Sequence, residues 1–132
     1  MRPGCFNASI TVVARVLIVD DHPGFRAQAR ALLVAAGYQV VGEAADGESA
    51  VRAARELSPD VVLLDIHLPD ADGFEVAAWL AALSTDGVVV LTSSRDACDF
   101  GPRITASQAA GFLPKAELSG DALRRYLPRG HR

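Results

Sequence analysis

Residues 60–65 read Asp-Val-Val-Leu-Leu-Asp. The four apolar residues leave neither face of a strand to water, which is typical of a parallel sheet covered on both sides. Similar short runs recur along the chain, and apolar residues at helical spacing follow them. The predicted strands are residues 15–19, 38–42, 60–65, 88–92 and 111–114. These strand–helix units predict an α/β fold with a doubly wound, five-stranded parallel sheet and helices on both faces, because a closed eight-fold barrel needs about 250 residues.

Local signals mark several helix boundaries. Pro23 suits the first turn of a helix, and Asp72 with Glu75 three residues later resembles a capping box. The pair Gly101-Pro102 would interrupt a fourth helix of ordinary length. We therefore expect a loop through Phe100 and a short, atypical fourth helix that starts near Pro102.

Composition narrows the classes of protein to consider. The chain has 132 residues, which suffices for one domain, and 50% of them are hydrophobic while 22% are charged. A net charge of −3 gives no indication of binding to nucleic acid or to an anionic membrane. No apolar run approaches the roughly 20 residues of a membrane span, and the first residues match a secretory signal poorly. With only Cys5 and Cys98, which form no metal spacing, a cytoplasmic location is expected.

Polar side chains follow four of the five predicted strands, and parallel strands bring their carboxyl ends to one edge of the sheet. Neighbouring carboxylates repel one another unless a cation neutralises them, and oxygen ligands suit Mg²⁺. One carboxylate could then act as nucleophile toward a phosphoryl group, while a lysine and a hydroxyl bind the phosphoryl oxygens. The lysine is the single one beside twelve arginines, as expected where a compact ammonium is needed. The polar residues that follow the four strands are Asp20, Asp21, Asp65, Thr92 and Lys115.

The motifs together resemble a bacterial two-component response-regulator receiver domain of the NarL/FixJ type, over about residues 15–127. They are Val19-Asp20-Asp21-His22-Pro23, Val41-Gly42-Glu43-Ala44, Asp46-Gly47, residues 60–65, Leu68-Pro69, Asp72-Gly73, Leu91-Thr92-Ser93 and Gly111-Phe112-Leu113-Pro114-Lys115. Each motif alone is weak evidence, but their order at the predicted strand ends is specific. The resemblance implies a flavodoxin-like sheet of order 2-1-3-4-5. Residues 1–14 would then be an N-terminal extension and residues 128–132 a tail.

The resemblance also implies a role for each matching residue. Asp65 would accept the phosphoryl group, Lys115 would pair with it, and Thr92 would be the switch hydroxyl. Mg²⁺ would be held by Asp20, Asp21, Asp65 and the backbone carbonyl of His67. Switching or modulating roles would belong to Phe112, Ser93 and Ser94, and His67 and Ser94 would line the approach of water.

Some positions depart from the usual pattern of the family. Ala116 replaces the proline that often follows the lysine, as in many NarL-type members. Phe112 lacks the hydroxyl of the more common tyrosine, so any switch at this position would work by packing alone. The shortened fourth helix belongs to the usual output face, which leaves the mode of output open.

The expected function is that of a stand-alone response regulator, because the sequence ends soon after the last predicted helix. A histidine kinase or a phosphotransfer protein would phosphorylate Asp65, and the change would alter binding to a downstream protein, without direct contact to nucleic acid or membrane. The chain would catalyse only its own phosphorylation and dephosphorylation. One alternative is a receiver-like interaction module that works without phosphate. Another is an Mg²⁺-dependent phosphohydrolase with an aspartyl phosphate intermediate, although His67 stands where such enzymes carry a second aspartate.

Overall fold

The parallel sheet expected from the buried apolar runs is present in the computed structural model, which describes residues 14–83, 87–94 and 100–127. Within these ranges five parallel strands form one sheet in the order β2-β1-β3-β4-β5. The strands are β1 Arg15–Val19, β2 Gln39–Ala44, β3 Val61–Asp65, β4 Val88–Ser93 and β5 Gly111–Pro114. The predicted strand order is confirmed.

Five α-helices connect and cover these strands in the described part of the chain. They are α1 Pro23–Ala35, α2 Gly47–Leu57, α3 Gly73–Ala81, α4 Pro102–Ala106 and α5 Gly120–Arg124, and a 3-10 turn spans Lys115–Glu117. In the described part of the chain, every helix is too short or too polar to cross a membrane. The predicted extension and tail lie outside the described residues, apart from Ala14.

The two faces of the sheet have separate cores because successive side chains of a strand point to opposite faces. In β1, Leu17 and Val19 pack toward α2 and α3, whereas Val16 and Ile18 pack toward α1 and α5. All five residues of β3 are buried. The prediction of a strand covered on both sides is therefore confirmed for Val61–Asp65, whereas Asp60 lies just before the strand.

Strand β2 differs from its predicted range, whereas α4 begins where the sequence predicted. The second strand was expected at residues 38–42 but runs from Gln39 to Ala44, because the parallel ladder continues to the pair Val19–Ala44. The short fourth helix is present as expected, and it starts after Gly101, which has a φ of 51° that favours glycine. The Asp72 capping box is also present, with both reciprocal hydrogen bonds formed.

Strand β1 lies between β2 and β3, so the chain adds β2 on one side of β1 and the later strands on the other side. In an open α/β sheet, the binding crevice lies at such a point, beyond the carboxyl ends of the strands. Asp20 follows β1 directly, and Asp65 is the last residue of β3. The topology therefore brings these two aspartates to the same crevice.

Candidate functional site

The register of the sheet sets the spacing of the predicted site residues. Asp65 pairs with Thr92 across β3 and β4, and Val19 pairs with Leu64, which puts Asp20 beside Asp65. Lys115 follows β5 on the far side of β4. Residues from four strand ends, separated by up to 95 positions in the sequence, thus meet at one edge.

The lysine forms ion pairs with two buried aspartates. Its Nζ atom lies 2.6 Å from Asp20 Oδ2 and 3.5 Å from Asp65 Oδ2. The ammonium also lies 4.6 Å from the centre of the Phe25 ring, a cation–π contact. Asp20 is fully buried, Asp65 is 2% exposed and the Lys115 side chain is 16% exposed. The geometry brings together the carboxylates and the ammonium that the sequence predicted, with the shorter contact to Asp20.

Asp65 stands in an environment that disfavours its charged form. Burial raises the pKa of the Asp65 carboxyl above its ordinary value, and the charge of Asp20 raises that pKa further. The main-chain N–H of His67 donates to Asp65 Oδ1 at 3.2 Å and, with the Lys115 ammonium, acts in the opposite direction. At this edge the carboxyl groups of Asp20, Asp21 and Asp65 thus outnumber the single ammonium of Lys115.

A divalent cation fits this excess of negative charge. Ligand atoms of Asp20, Asp21, His22 and Asp65 all lie within 4.8 Å of one another. The Nδ1 atom of His22 lies 3.0 Å from Asp20 Oδ1 and 3.1 Å from Asp21 Oδ1, and its main-chain N–H donates to Asp20 Oδ1 at 2.8 Å. Because Mg²⁺ prefers oxygen ligands, the three carboxylates would hold the ion, and His22 would orient the carboxylate of Asp20 through its hydrogen bonds. The ligand role predicted for the His67 carbonyl stays a prediction.

The hydroxyl residues at the carboxyl end of β4, Thr92, Ser93 and Ser94, differ in exposure. Thr92 is 1% exposed, and its Oγ1 atom has no hydrogen-bond partner among the described residues. A buried polar atom of this kind normally finds a partner, which a phosphoryl oxygen at Asp65 would supply. Ser93 is buried and Ser94 is exposed. The modulating roles of these two serines also stay predictions.

An aromatic cluster connects the site to α4. The Phe100 ring lies 5.9 Å from the His67 ring, 6.1 Å from the Phe74 ring and 5.8 Å from the Phe112 ring, measured between ring centres. Phe100 and Phe112 are both buried. Arg103 of α4 stacks on Phe74, with its Cζ atom 4.3 Å from the ring centre. The sequence marked Phe112 but missed Phe100, because a single phenylalanine in a loop gives no local signal of its packing.

The loop after Asp65 is held tightly against the end of β3. The Gly73 N–H donates to the Ile66 carbonyl at 2.6 Å, and a Cβ atom at Gly73 would lie 2.6 Å from Ile66 Cα. Asp70 in the same loop accepts hydrogen bonds from the N–H groups of Gly47 and Glu48 at the start of α2, at 2.8 and 3.1 Å. The phosphoacceptor candidate therefore stands on a backbone that has little freedom to shift.

The loop after β1 has a second support that sequence reasoning missed. The Arg26 Nη1 atom donates to the Asp20 main-chain carbonyl at 2.7 Å, and Arg26 Nε donates to Glu43 Oε1 at 3.0 Å. Glu43 lies 17 positions from Arg26 in the sequence and on a different element, so no spacing rule connects them. Only the pairing of β1 with β2 brings the two side chains together.

Comparisons of the sequence and the structure with known proteins identify the family of this chain. The response regulator receiver domain family matches residues 16–127. The transcription regulator BvgA of Bordetella pertussis is 40% identical over 103 residues, which cover 78% of this chain and 49% of BvgA. A protein-glutamate methylesterase/protein-glutamine glutaminase of Anaeromyxobacter dehalogenans is 43% identical over 109 residues, 81% of this chain and 31% of that protein. The chain thus spans about half the length, or less, of these curated relatives.

A solved structure has the same fold at a comparable level of identity. The signal receiver domain of the response regulator NarL from Mycobacterium tuberculosis superposes with a TM-score of 0.76 and 36% sequence identity. The match covers 86% of this chain and 96% of that domain. The family match covers most of the chain and includes all the residues that form the acidic crevice. The chain therefore belongs to the response regulator receiver domain family.

Proposed function

We propose that this chain accepts a phosphoryl group on Asp65 from a histidine kinase or a phosphotransfer protein and then signals by altered binding to another protein. The observation that carries the proposal is the geometry of Asp65. Its buried carboxylate lies 3.5 Å from the Lys115 ammonium and beside two further aspartates. A reactive carboxylate, a cation site and a phosphate-binding ammonium at one strand edge are what phosphoryl transfer to an aspartate needs.

In the proposed reaction an Asp65 carboxylate oxygen attacks the phosphorus atom of the donor. A new P–O bond forms while the bond from phosphorus to the leaving group breaks, and the leaving group departs with the electron pair. That group is the imidazole of a phosphohistidine, or acetate when acetyl phosphate is the donor. Bound Mg²⁺ would neutralise the charge of the phosphoryl oxygens. Lys115 would contact one of these oxygens, and the Thr92 hydroxyl would donate to another.

The aromatic cluster offers a path from the site to the surface. Phe112 lies on β5, which pairs with the strand that carries Thr92, and its ring contacts Phe100. Phe100 also contacts Phe74, on which Arg103 of α4 stacks. Phe112 has no hydroxyl, so a response of this path to phosphorylation would depend on packing alone. The proposal therefore places the change in partner binding on the surface formed by α4 and its neighbours.

The first test is the intact mass of the protein after incubation with acetyl phosphate, with and without Mg²⁺. We expect a single phosphoryl adduct on the wild-type protein in Mg²⁺ and none without it. Asp65→Asn should give no adduct, because the amide is a poor nucleophile. The matched control is Asp121→Asn, which changes an exposed carboxylate of α5 and should be modified like the wild type.

Other outcomes favour the alternatives. An unmodified wild-type protein that still binds its partner at full affinity would support a phosphate-independent interaction module. Multiple turnover on phosphate monoesters would support a phosphohydrolase. Because the curated relatives extend well beyond the matched region, operation without an attached output domain is part of the proposal. If phosphorylation of the purified chain changes its affinity for a partner protein, that result would support operation without an attached output domain.

A further inference from the structure

Arg26 connects the acidic loop to the neighbouring strand. Its guanidinium donates to the Asp20 carbonyl at 2.7 Å and to Glu43 Oε1 at 3.0 Å. The Arg26 side chain is only 19% exposed. The planar fork of a guanidinium suits this double contact, since separate N–H groups can reach two acceptors at once. Arg26 therefore bridges the loop that follows β1 to β2.

Asp20 is the residue whose backbone this bridge holds. Its main-chain N–H, in the peptide before it, donates to the Ala44 carbonyl at 3.0 Å. Arg26 holds the carbonyl of the following peptide, which joins Asp20 to Asp21. The direction of this peptide determines where the Asp20 and Asp21 side chains point. Both carboxylates belong to the group of ligand atoms that lie within 4.8 Å of one another.

We propose that Arg26, oriented by Glu43, is a positioning residue that sets the affinity of the aspartate pair for a divalent cation. This inference rests on the proposed function for its biological purpose, but it concerns cation binding and can be tested without phosphorylation. Removing a hydrogen-bond partner behind a metal ligand typically weakens metal binding about 10- to 100-fold. A loosened Asp20–Asp21 loop should therefore bind Mg²⁺ more weakly.

Charge alone predicts the opposite result. Deleting a cation close to carboxylates should make them bind Mg²⁺ more tightly. However, the charge of Arg26 is already offset by Glu43 at 3.0 Å, so the lost hydrogen bond to Asp20 should decide the outcome. The sign of the change in affinity therefore separates a positioning role from a purely electrostatic one.

Arg30 provides a matched control on the same helix. Its Nε atom donates to Glu43 Oε2 at 2.6 Å, and its side chain is 44% exposed. Among the contacts of the described residues, Arg30 shares Glu43 with Arg26 but has no hydrogen bond to Asp20. Arg30→Met removes the same charge from the same helix and leaves the Asp20 carbonyl bonded.

The experiment is calorimetric titration of the full chain with Mg²⁺ alone, below the melting temperature of every variant. We expect Arg26→Met to raise the Kd for Mg²⁺ about tenfold and Arg30→Met to change it less than about twofold. Arg26→Lys keeps the positive charge, but its ammonium cannot reproduce the two contacts of the guanidinium fork, so it should raise the Kd a few-fold where charge alone predicts no change; it also covers the case in which Arg26→Met does not fold. In acetyl phosphate, the Mg²⁺ concentration for half-maximal phosphorylation of Arg26→Met should rise by the same factor, with a smaller change in the rate at saturation.

Three results would overturn the inference. They are an Arg26→Met protein with wild-type or tighter Mg²⁺ binding, an Arg30→Met protein that loses as much affinity as Arg26→Met, and a wild-type protein that binds no Mg²⁺. If Mg²⁺ binding follows the prediction but the wild type is never phosphorylated, the positioning role stands and the proposed function fails.

Discussion

Replacing Lys115 with methionine should destabilise the protein and yet improve its binding of Mg²⁺. Lys115→Met keeps much of the aliphatic stem but leaves Asp20 Oδ2, now 2.6 Å from the ammonium, without its positive partner. Breaking a buried ion pair by removing one member costs about 3–5 kcal/mol. The lysine retains 16% exposure, so we take the lower end, about 3 kcal/mol. For a chain of this size that corresponds to a fall in melting temperature of about 10 °C.

The same substitution removes a competitor for the cation. The ammonium lies near the carboxylates of Asp20 and Asp65, and both residues belong to the group that could hold a divalent cation. Without it, Mg²⁺ should bind roughly tenfold more tightly or better, because a unit positive charge next to the site is gone. Saturating Mg²⁺ should therefore reduce the difference in melting temperature between the variant and the wild type.

Thermal unfolding followed by circular dichroism, with and without Mg²⁺, measures both effects. The control is Arg124→Met, which breaks the exposed Arg124–Asp121 pair and should cost less than about 1 kcal/mol with no effect on Mg²⁺ binding. A Lys115→Met protein that melts within about 2 °C of the wild type in the absence of Mg²⁺ would refute the argument from the buried pair. Weaker Mg²⁺ binding by Lys115→Met would refute the argument from competition.

Three further predictions follow from packing and titration. Gly73→Ala should destabilise the fold by about 1–3 kcal/mol or more in a urea titration, because the new methyl would meet the Ile66 backbone at 2.6 Å and the backbone cannot turn aside. Phe100→Ala should cost about 3–5 kcal/mol, and Phe100→Leu clearly less, since the ring is buried among three other rings. The hydrogen bond from Arg30 holds the pKa of Glu43 below its ordinary value, so its contribution to stability is present above the unfolded-state pKa and lost as the pH falls through the folded-state pKa. The difference in melting temperature between wild type and Glu43→Gln should accordingly shrink as the pH falls below 4.5.

The sheet could be predicted almost completely because its signals are local. A run such as residues 60–65 shows by its own composition that it is buried, and the pair Gly101-Pro102 by its own chemistry prevents a helix from running through it. The end of β2 was harder to predict from the sequence, since Glu43 and Ala44 join the strand only through their pairing with β1. Strand limits depend on the partner strand, which a single segment does not reveal.

The site, like the sheet, has features that the sequence predicts and features that depend on tertiary packing. Sequence alone determined that Asp65, Thr92 and Lys115 would meet, because the carboxyl ends of parallel strands share one edge. Only the tertiary structure decided that the ammonium lies closer to Asp20 than to Asp65 and that Arg26 holds the Asp20 carbonyl. The sequence motifs assign each site residue to the end of a particular strand. Distances between side chains depend instead on strand order, register and rotamer, and these are settled together when distant segments pack.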